Sequence, residues 1–510
     1  MEQKISDIES SHSSTTDIIK KGSVITIITM ISRPLGYIRE AIQAYLFGAT
    51  LLVDAFIVAF NFPELIQTLF FSGATSAFLV PVCVRYMKDQ KDYSSIYATF
   101  INLAVIITVS ISLLFLVLSH GIVNIIAPGF SLEAKQITKI LFIIMLPVIS
   151  LHTILSVIKA FLNAKEHFAA PELSGIIWNI AFILSAIFLR DKFGIYSLAI
   201  GATAGSFLQI AMQFPYLRRF NIRYSLTLNI KHPAIAEAKN LFAGALIATS
   251  IVPINSFVGR VIASYLPQGE VAALSYAFRI FILPFSLFAV PIYTVMFTKL
   301  SKLFHRKDWQ GINTHIDSSI VLIAITLIPC TILLCSIGDA AIRILYERGA
   351  FTSRDTLMTN RALFGYGVGL VFYALSISFV RVFNSLHDMK TPAIVGITSI
   401  AINAILASIL MIPFKNLGIS LSTSIVSLYN FAILYVLLKN KIGYSMKRGT
   451  IREISRSLLA GIILLLSIFL FRRFVIEDAY LLLAISGVLT LIIYGFFFKN
   501  YYLSLLKKSN

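Results

Sequence analysis

Charge is what this chain has least of. Only 13% of its 510 residues are Asp, Glu, Lys or Arg, while 57% are hydrophobic and the mean hydropathy is +0.84. Soluble domains carry about 25% charged residues, so a soluble globule is excluded and a polytopic membrane protein is expected. Cysteine is scarce too. Cys83, Cys330 and Cys335 fall in or at the ends of apolar segments, where they read as small buried hydrophobes, and no disulfide framework follows. The eight histidines are scattered without zinc-ligand spacing, so no metal is expected. No G-x-x-x-x-G-K-[ST] run occurs, which excludes transport powered by ATP bound to a P-loop of this chain. The stretch Met1 to Lys21 is polar and has no apolar core, so a cleaved secretory signal is not expected.

What is present is a series of apolar runs. Counting spans of about 20 residues gives about fourteen helices, from 23–47 and 51–85 through 314–339 to 453–474 and 479–499. The net charge of +19 suggests nucleic acid, but its distribution argues against that partner. With the N-terminus in the cytoplasm, the inner loops gather about 27 Lys and Arg against about 10 outside, the positive-inside bias. Both termini are then expected in the cytoplasm.

The chain also repeats itself. Phe60-Asn-Phe-Pro63 matches Phe281-Ile-Leu-Pro284 at a spacing of 221 residues, and the same spacing relates Arg39 to Arg260, Gly48 to Gly269 and Pro171 to Pro392. Six spans per copy give both copies one orientation, and substrate usually binds near the midplane at such a repeat interface. The expected organisation is a tail over 1–22, an N-lobe of six helices over 23–232 and a C-lobe of six over 233–445. Two further helices and a tail fill 446–510. The fold class is therefore all-α, with two parallel six-helix repeats and a C-terminal pair outside the duplication.

Against this apolar background the intramembrane charges carry the functional signal. Arg33 and Arg39 lie within one apolar segment, Val24 to Phe47. An arginine at the centre of a membrane helix costs roughly 2.5–3.5 kcal/mol, so two imply a watery cavity or an anion. Pro34 and Gly36 lie between them and are candidate hinges, since on a straight helix the two side chains would point in different directions. The alternative is that each arginine pairs with a local acid such as Glu40 or Asp54, or snorkels to an interface. The span 51–85 is long for one crossing, which suggests bends at Pro63 and Gly73. Its acids, Asp54 and Glu64, are candidates either as counter-charges for the arginines or as ion-coupling groups. In the second copy Arg260 and Arg279 occupy the seventh and eighth spans. Together the four arginines are candidates for binding a diphosphate, whose oxygens suit the planar guanidinium fork.

These residues resemble a family. Ser32-Arg33-x-Leu35-Gly36-x-x-Arg39-Glu40, Phe47-Gly48-Ala49, Asp54-Ala55-Phe56 and Phe78-Leu79-Val80-Pro81 are similar to the opening of the MurJ (MviN) lipid II flippases. Ala127-Pro128-Gly129-Phe130 and Lys390-Thr391-Pro392 extend the likeness. The resemblance implies the fold of the multidrug/oligosaccharidyl-lipid/polysaccharide (MOP) exporter superfamily. Two six-helix lobes would form a V around a cationic cavity, and the last two helices would shape a groove for a polyprenyl tail. It implies roles in substrate binding for Arg33, Arg39 and Arg279. The chain departs from the family pattern at Gln67, where an arginine is usual, and at Ser72, where an acid is usual. Arg260, which the pattern does not require, is expected to restore some of the missing positive charge.

The expected function is movement of lipid II, an undecaprenyl-pyrophosphate-linked peptidoglycan precursor, to the outer leaflet of the bacterial inner membrane by alternating access. It would serve cell-wall biogenesis and cell shape, with membrane lipids and the cell-wall synthesis machinery as partners and no covalent chemistry. Two alternatives keep the fold: a flippase for another polyprenyl-linked oligosaccharide of O-antigen type, and a cation-coupled multidrug exporter, which would want an acidic cavity. A membrane transferase would need a cluster of catalytic acids or histidines that the sequence does not supply. No cofactor is expected; Na+, H+ or the membrane potential could drive the cycle.

Overall fold

In lipid an amide has no water to turn to, so long apolar runs satisfy their backbone by folding as helices. The computed structural model describes residues 23, 27–69, 73–474 and 478–509, and the regular structure among them is helical. The tail expected over 1–22 and Ser72 lie outside the described residues. In chain order the helices are α1 (27–47), α2 (Leu51–Gln67), α3 (Gly73–Tyr86), α4 (Gln90–Val117), α5 (Ser119–Ile126), α6 (Leu132–Ala164) and α7 (Ala169–Phe188). There follow α8 (Arg190–Phe193), α9 (Tyr196–Ala211), α10 (Phe214–Arg219), α11 (Pro233–Ala263), α12 (Glu270–Pro284), α13 (Val290–His305) and α14 (Trp309–Tyr346). The chain ends with α15 (Ser353–Val368), α16 (Leu370–Ser385), α17 (Lys390–Phe414), α18 (Asn416–Ile442), α19 (Arg448–Phe474) and α20 (Ala479–Ser509).

Among the described residues nine spans are long and apolar enough to cross a membrane, ten if α15 and α16, bent by 48°, make one. The other four expected spans fall on α1, on α2 with α3, on α9 and on α11. Among the described residues the run 51–85 holds two helices. α2 continues helical through Pro63 and ends in a π turn at 68–69, and Gly73 opens α3. Its repeat counterpart behaves alike: α12 ends on Pro284 and passes through a π turn, Phe285–Ala289, into α13. Proline cannot donate to the ladder, and a wider turn absorbs the defect. α14 holds 38 residues, about 57 Å of helix, and is kinked at Ile337. It therefore overruns the expected span 314–339 at both ends.

The described residues form two compact units, one from those up to Phe47 together with those from Ala55 to Phe257, the other from Gly48–Asp54 together with those from Val258 on. In the first, the core is built from α3, α4, α6, α9 and α10. Phe161 lies at its centre, accepting the Tyr93 hydroxyl on its carbonyl at 2.8 Å while the Tyr93 and Tyr97 rings pack 4.9 and 5.2 Å from its own. In the second, α19 and α20 pack on α14 through Leu464, Ile468, Tyr494 and Phe498. Arg472 near the end of α19 reaches Asp339 at 2.6 Å and the Ser336 carbonyl at 2.7 Å, both on α14.

Between α16 and α17, Asp388 caps α17 by accepting the Thr391 N–H at 3.0 Å and the Thr391 hydroxyl at 2.8 Å, and it pairs with Lys441. Partial burial alone would raise its pKa, but the Lys441 ammonium and the Thr391 donors together draw it down to about 2. A carboxyl depressed on folding stabilises above its unfolded value of 3.8 and loses that contribution as pH falls through about 2. Asp388→Asn is therefore expected to flatten the acid limb of the unfolding-temperature profile between these values. An acid limb identical to that of the parent would refute it.

Candidate functional site

α1 carries the first pair of arginines, and it runs unbroken from 27 to 47, through both Pro34 and Gly36. Pro34 and Gly36 are helical along with their neighbours. On an ideal helix six residues set Arg33 and Arg39 about 9 Å apart along the axis and about 120° apart around it. Arg33 is exposed and makes no hydrogen bond or ion pair among the described residues.

Arg39 turns inward, with 14% of its side chain exposed. Its Nη2 lies 2.9 Å from the Glu40 carboxylate, the local pairing that the sequence left open. The guanidinium carbon stands 4.9 Å from the Trp178 ring centre and 5.4 Å from that of Phe182, both on α7. Trp178 is itself fixed: its indole N–H donates to the Ala202 carbonyl at 3.1 Å, and Gly205 leaves room beneath it where a Cβ would crowd the ring. Phe60 and Phe56 of α2 back this pair at 6.1 and 5.9 Å from Trp178 and Phe182. A guanidinium held over aromatic faces keeps its charge while its hydration is replaced. Sequence reasoning missed Trp178 and Phe182. The available signal was their four-residue spacing and the rarity of tryptophan, of which the chain has two.

In the second unit Asp54, 2% exposed, accepts the Gly269 N–H at 2.6 Å and the Ala272 N–H at 2.7 Å. It thereby caps α12 from another helix, supplying a negative charge where four backbone donors have no intrahelical partner. Gly269 makes this approach possible. Its φ is +86°, and a Cβ there would run into the Ala49 carbonyl. Gly48, its repeat counterpart, has φ +64° and would meet the Ala350 carbonyl in the same way. The Tyr276 hydroxyl donates to the Gly48 carbonyl at 3.3 Å and completes the joint.

Arg279 is exposed on α12, while its neighbours Phe278 and Phe281 pack inward on Tyr366 at 5.5 Å each. Arg260 is half-buried on α11, within electrostatic reach of Tyr366. Glu64 is half-buried on α2 and its carbonyl accepts the Thr68 hydroxyl at 2.8 Å; Gln67 is half-buried one turn along. The structure thus gathers Arg39 with Glu40 in the first unit and places Asp54, Arg260 and Arg279 in the second.

The described residues form a bundle of apolar helices, nine of them long enough to cross a membrane, the build of a polytopic membrane protein. Its fold is that of the MOP superfamily: a multidrug resistance transporter of the MATE family, in an inward-facing conformation, superposes with a TM-score of 0.69 at 13% identity over 80% of this chain and 94% of that one. Within that class, a family model described as lipid II flippase MurJ matches residues 43–485, and the chain belongs to this family. A solved lipid II flippase MurJ in an inward closed conformation superposes with a TM-score of 0.82 at 28% identity, covering 94% of this chain and 99% of that one. The lipid II flippase MurJ of Thermosipho africanus is 29% identical over 482 residues, 94% of this chain and 97% of its own length. A probable lipid II flippase MurJ of Buchnera aphidicola (Schizaphis graminum) is 27% identical over 493 residues, 93% of this chain and 96% of its own.

Proposed function

We propose that this protein is a lipid II flippase, moving the undecaprenyl-pyrophosphate-linked peptidoglycan precursor from the inner to the outer leaflet of the bacterial cytoplasmic membrane. The observation that carries the reading is the family match across 43–485. Its relatives over nine-tenths of the chain bear the same name, which supports cargo of this class over an O-antigen unit or a cationic drug. The task needs no covalent step, because the barrier is the polar headgroup's passage through hydrocarbon.

The diphosphate is assigned to Arg33, Arg39 and Arg279, with Arg260 adding charge that Gln67 does not supply. Arg39 is the best prepared of these, since Trp178 and Phe182 already hold its guanidinium. The polyprenyl tail would follow α19 and α20, whose outward side chains such as Leu491 and Phe496 are apolar and exposed. The membrane potential could reset the empty carrier, since each charge moved is worth about 2.3 kcal/mol per 100 mV. Both termini are assigned to the cytoplasm by the positive-inside bias.

The test is replacement of a bacterium's own lipid II flippase by this chain. The unaltered protein is expected to sustain growth. Arg33→Ala and Arg279→Ala are each expected to cut flipping by about tenfold to a hundredfold, the value of one charge-assisted hydrogen bond. Failure of the unaltered chain to sustain growth when inserted and stable would refute the assignment.

A further inference from the structure

The chain between α10 and α11, residues 220–232, is tied along α4 instead of hanging as a free loop. Gln90 donates its amide to the Phe220 and Asn221 carbonyls at 3.2 and 2.9 Å, and the Arg223 N–H lies 3.4 Å from the Ser94 hydroxyl. Further along α4, Asn102 donates to the Ser225 and Thr227 carbonyls at 3.1 and 2.8 Å and accepts the Tyr224 hydroxyl at 2.7 Å. The segment then turns back. The Asn229 N–H reaches the Thr99 hydroxyl at 3.3 Å, and His232 meets Asp92 at 3.0 Å. From Gln90 to Asn102 the helix rises about 18 Å, so this strap goes out along α4 and returns.

The distance matters because α4 crosses the membrane. Its 28 residues span about 42 Å, some 12 Å more than the hydrocarbon core requires. Lys91 and Asp92 mark its polar end, and its exposed large apolar side chains begin at Ile106. The strap's tip at Asn102 therefore lies where hydrocarbon begins. The side chains it offers there suit that place, with Leu226 exposed at 89% and Ile230 at 57%. At its base Arg218 and Arg223 line a cavity of about 540 Å³ with Tyr97, Phe214, Asn221 and Tyr224. Both arginines are exposed, and neither enters an ion pair among the described residues.

We infer that the strap is a membrane-interface element whose cavity binds the phosphate of an anionic glycerophospholipid, in the leaflet on the side that the charge bias assigns to the cytoplasm. Arg218 and Arg223 hold the phosphate, the tyrosines sit at headgroup depth, and the apolar tip lies among the acyl chains. A soluble anion would use the arginines but leave the tip without purpose, which favours a lipid. This goes beyond the transport reading and does not depend on it.

The test titrates phosphatidylglycerol against phosphatidylcholine into the purified full-length protein and follows its thermal unfolding. Phosphatidylglycerol is expected to stabilise at lower concentration than phosphatidylcholine. R218Q/R223Q is expected to weaken the phosphatidylglycerol response about thirtyfold, the combined effect of two basic contacts at a membrane surface, while R218K/R223K retains most of it. Equal responses to the two lipids in the parent protein, or a full response in R218Q/R223Q, would overturn the inference. So would stabilisation by soluble glycerol phosphate at the same concentration, which would mean a free-phosphate site. Should R218Q/R223Q fail to fold, the lipid preference of the parent protein and the loss expected in L226N still decide it.

Discussion

Asp54→Ala is expected to lower the stability of the detergent-solubilised protein by about 2–4 kcal/mol, although the side chain lies on α2 and the hydrogen bonds it accepts come from the start of α12. The carboxylate is buried and accepts two backbone donors at 2.6 and 2.7 Å from the start of α12. Alanine leaves both N–H groups buried at a helix N-terminus, where no other acceptor reaches them along the helix. Two charge-assisted bonds would be worth more, but the carboxylate surrenders its own hydration to make them, which offsets part of the gain. Asp54→Asn should fall between the parent and alanine. The two donors sit on different carboxylate oxygens, so the amide oxygen replaces one of them while its NH2 must face the other donor. Unfolding curves for the three proteins check this order. Parent-like stability in Asp54→Ala would mean that the contact with α12 is incidental.

That contact also marks how far the sequence could be read. The apolar runs announced the spans because hydropathy averages over a helix, and among the described residues nine of them, ten with the bent pair, fall on helices long and apolar enough to cross a membrane. The pairing of Gly48 with Gly269 was visible as a repeat. Its cause was not, because the need for glycine arises partly from carbonyls of Ala350 and Ala49, which a Cβ would strike and which only folding brings near. Asp54 could be read as an intramembrane acid, but its partners lie 215 and 218 residues away, and backbone donors leave no mark on side-chain identity. Residues 220–232 read as a basic inner loop, and its attachment to α4 depends on Gln90, Ser94 and Asn102, ordinary polar residues near one end of a span.

Arg39→Ala is expected to stop transport, and Arg39→Lys to recover little of it. Lysine keeps the charge but loses the flat fork that lies over Trp178 and Phe182 and faces Glu40. A purely structural role would predict the same first result, because the alanine deprives a largely buried Glu40 of the guanidinium 2.9 Å away. The double variant Arg39→Ala/Glu40→Ala separates the two. It should regain most of the lost thermal stability, since the facing charge is removed as well, and still fail to flip lipid II. Recovery of flipping in the double variant would reduce Arg39 to a partner for Glu40. Trp178 gives an independent reading of the same arrangement. If the indole positions the guanidinium, Trp178→Leu should raise the apparent KM for the lipid between about twofold and thirtyfold, the range of a desolvated cation–π contact, with the turnover number changed less. Trp178→Phe keeps a ring face and should stay near the parent. An equal loss in both variants would show that the site needs the bulk or the N–H of tryptophan and not its face over Arg39.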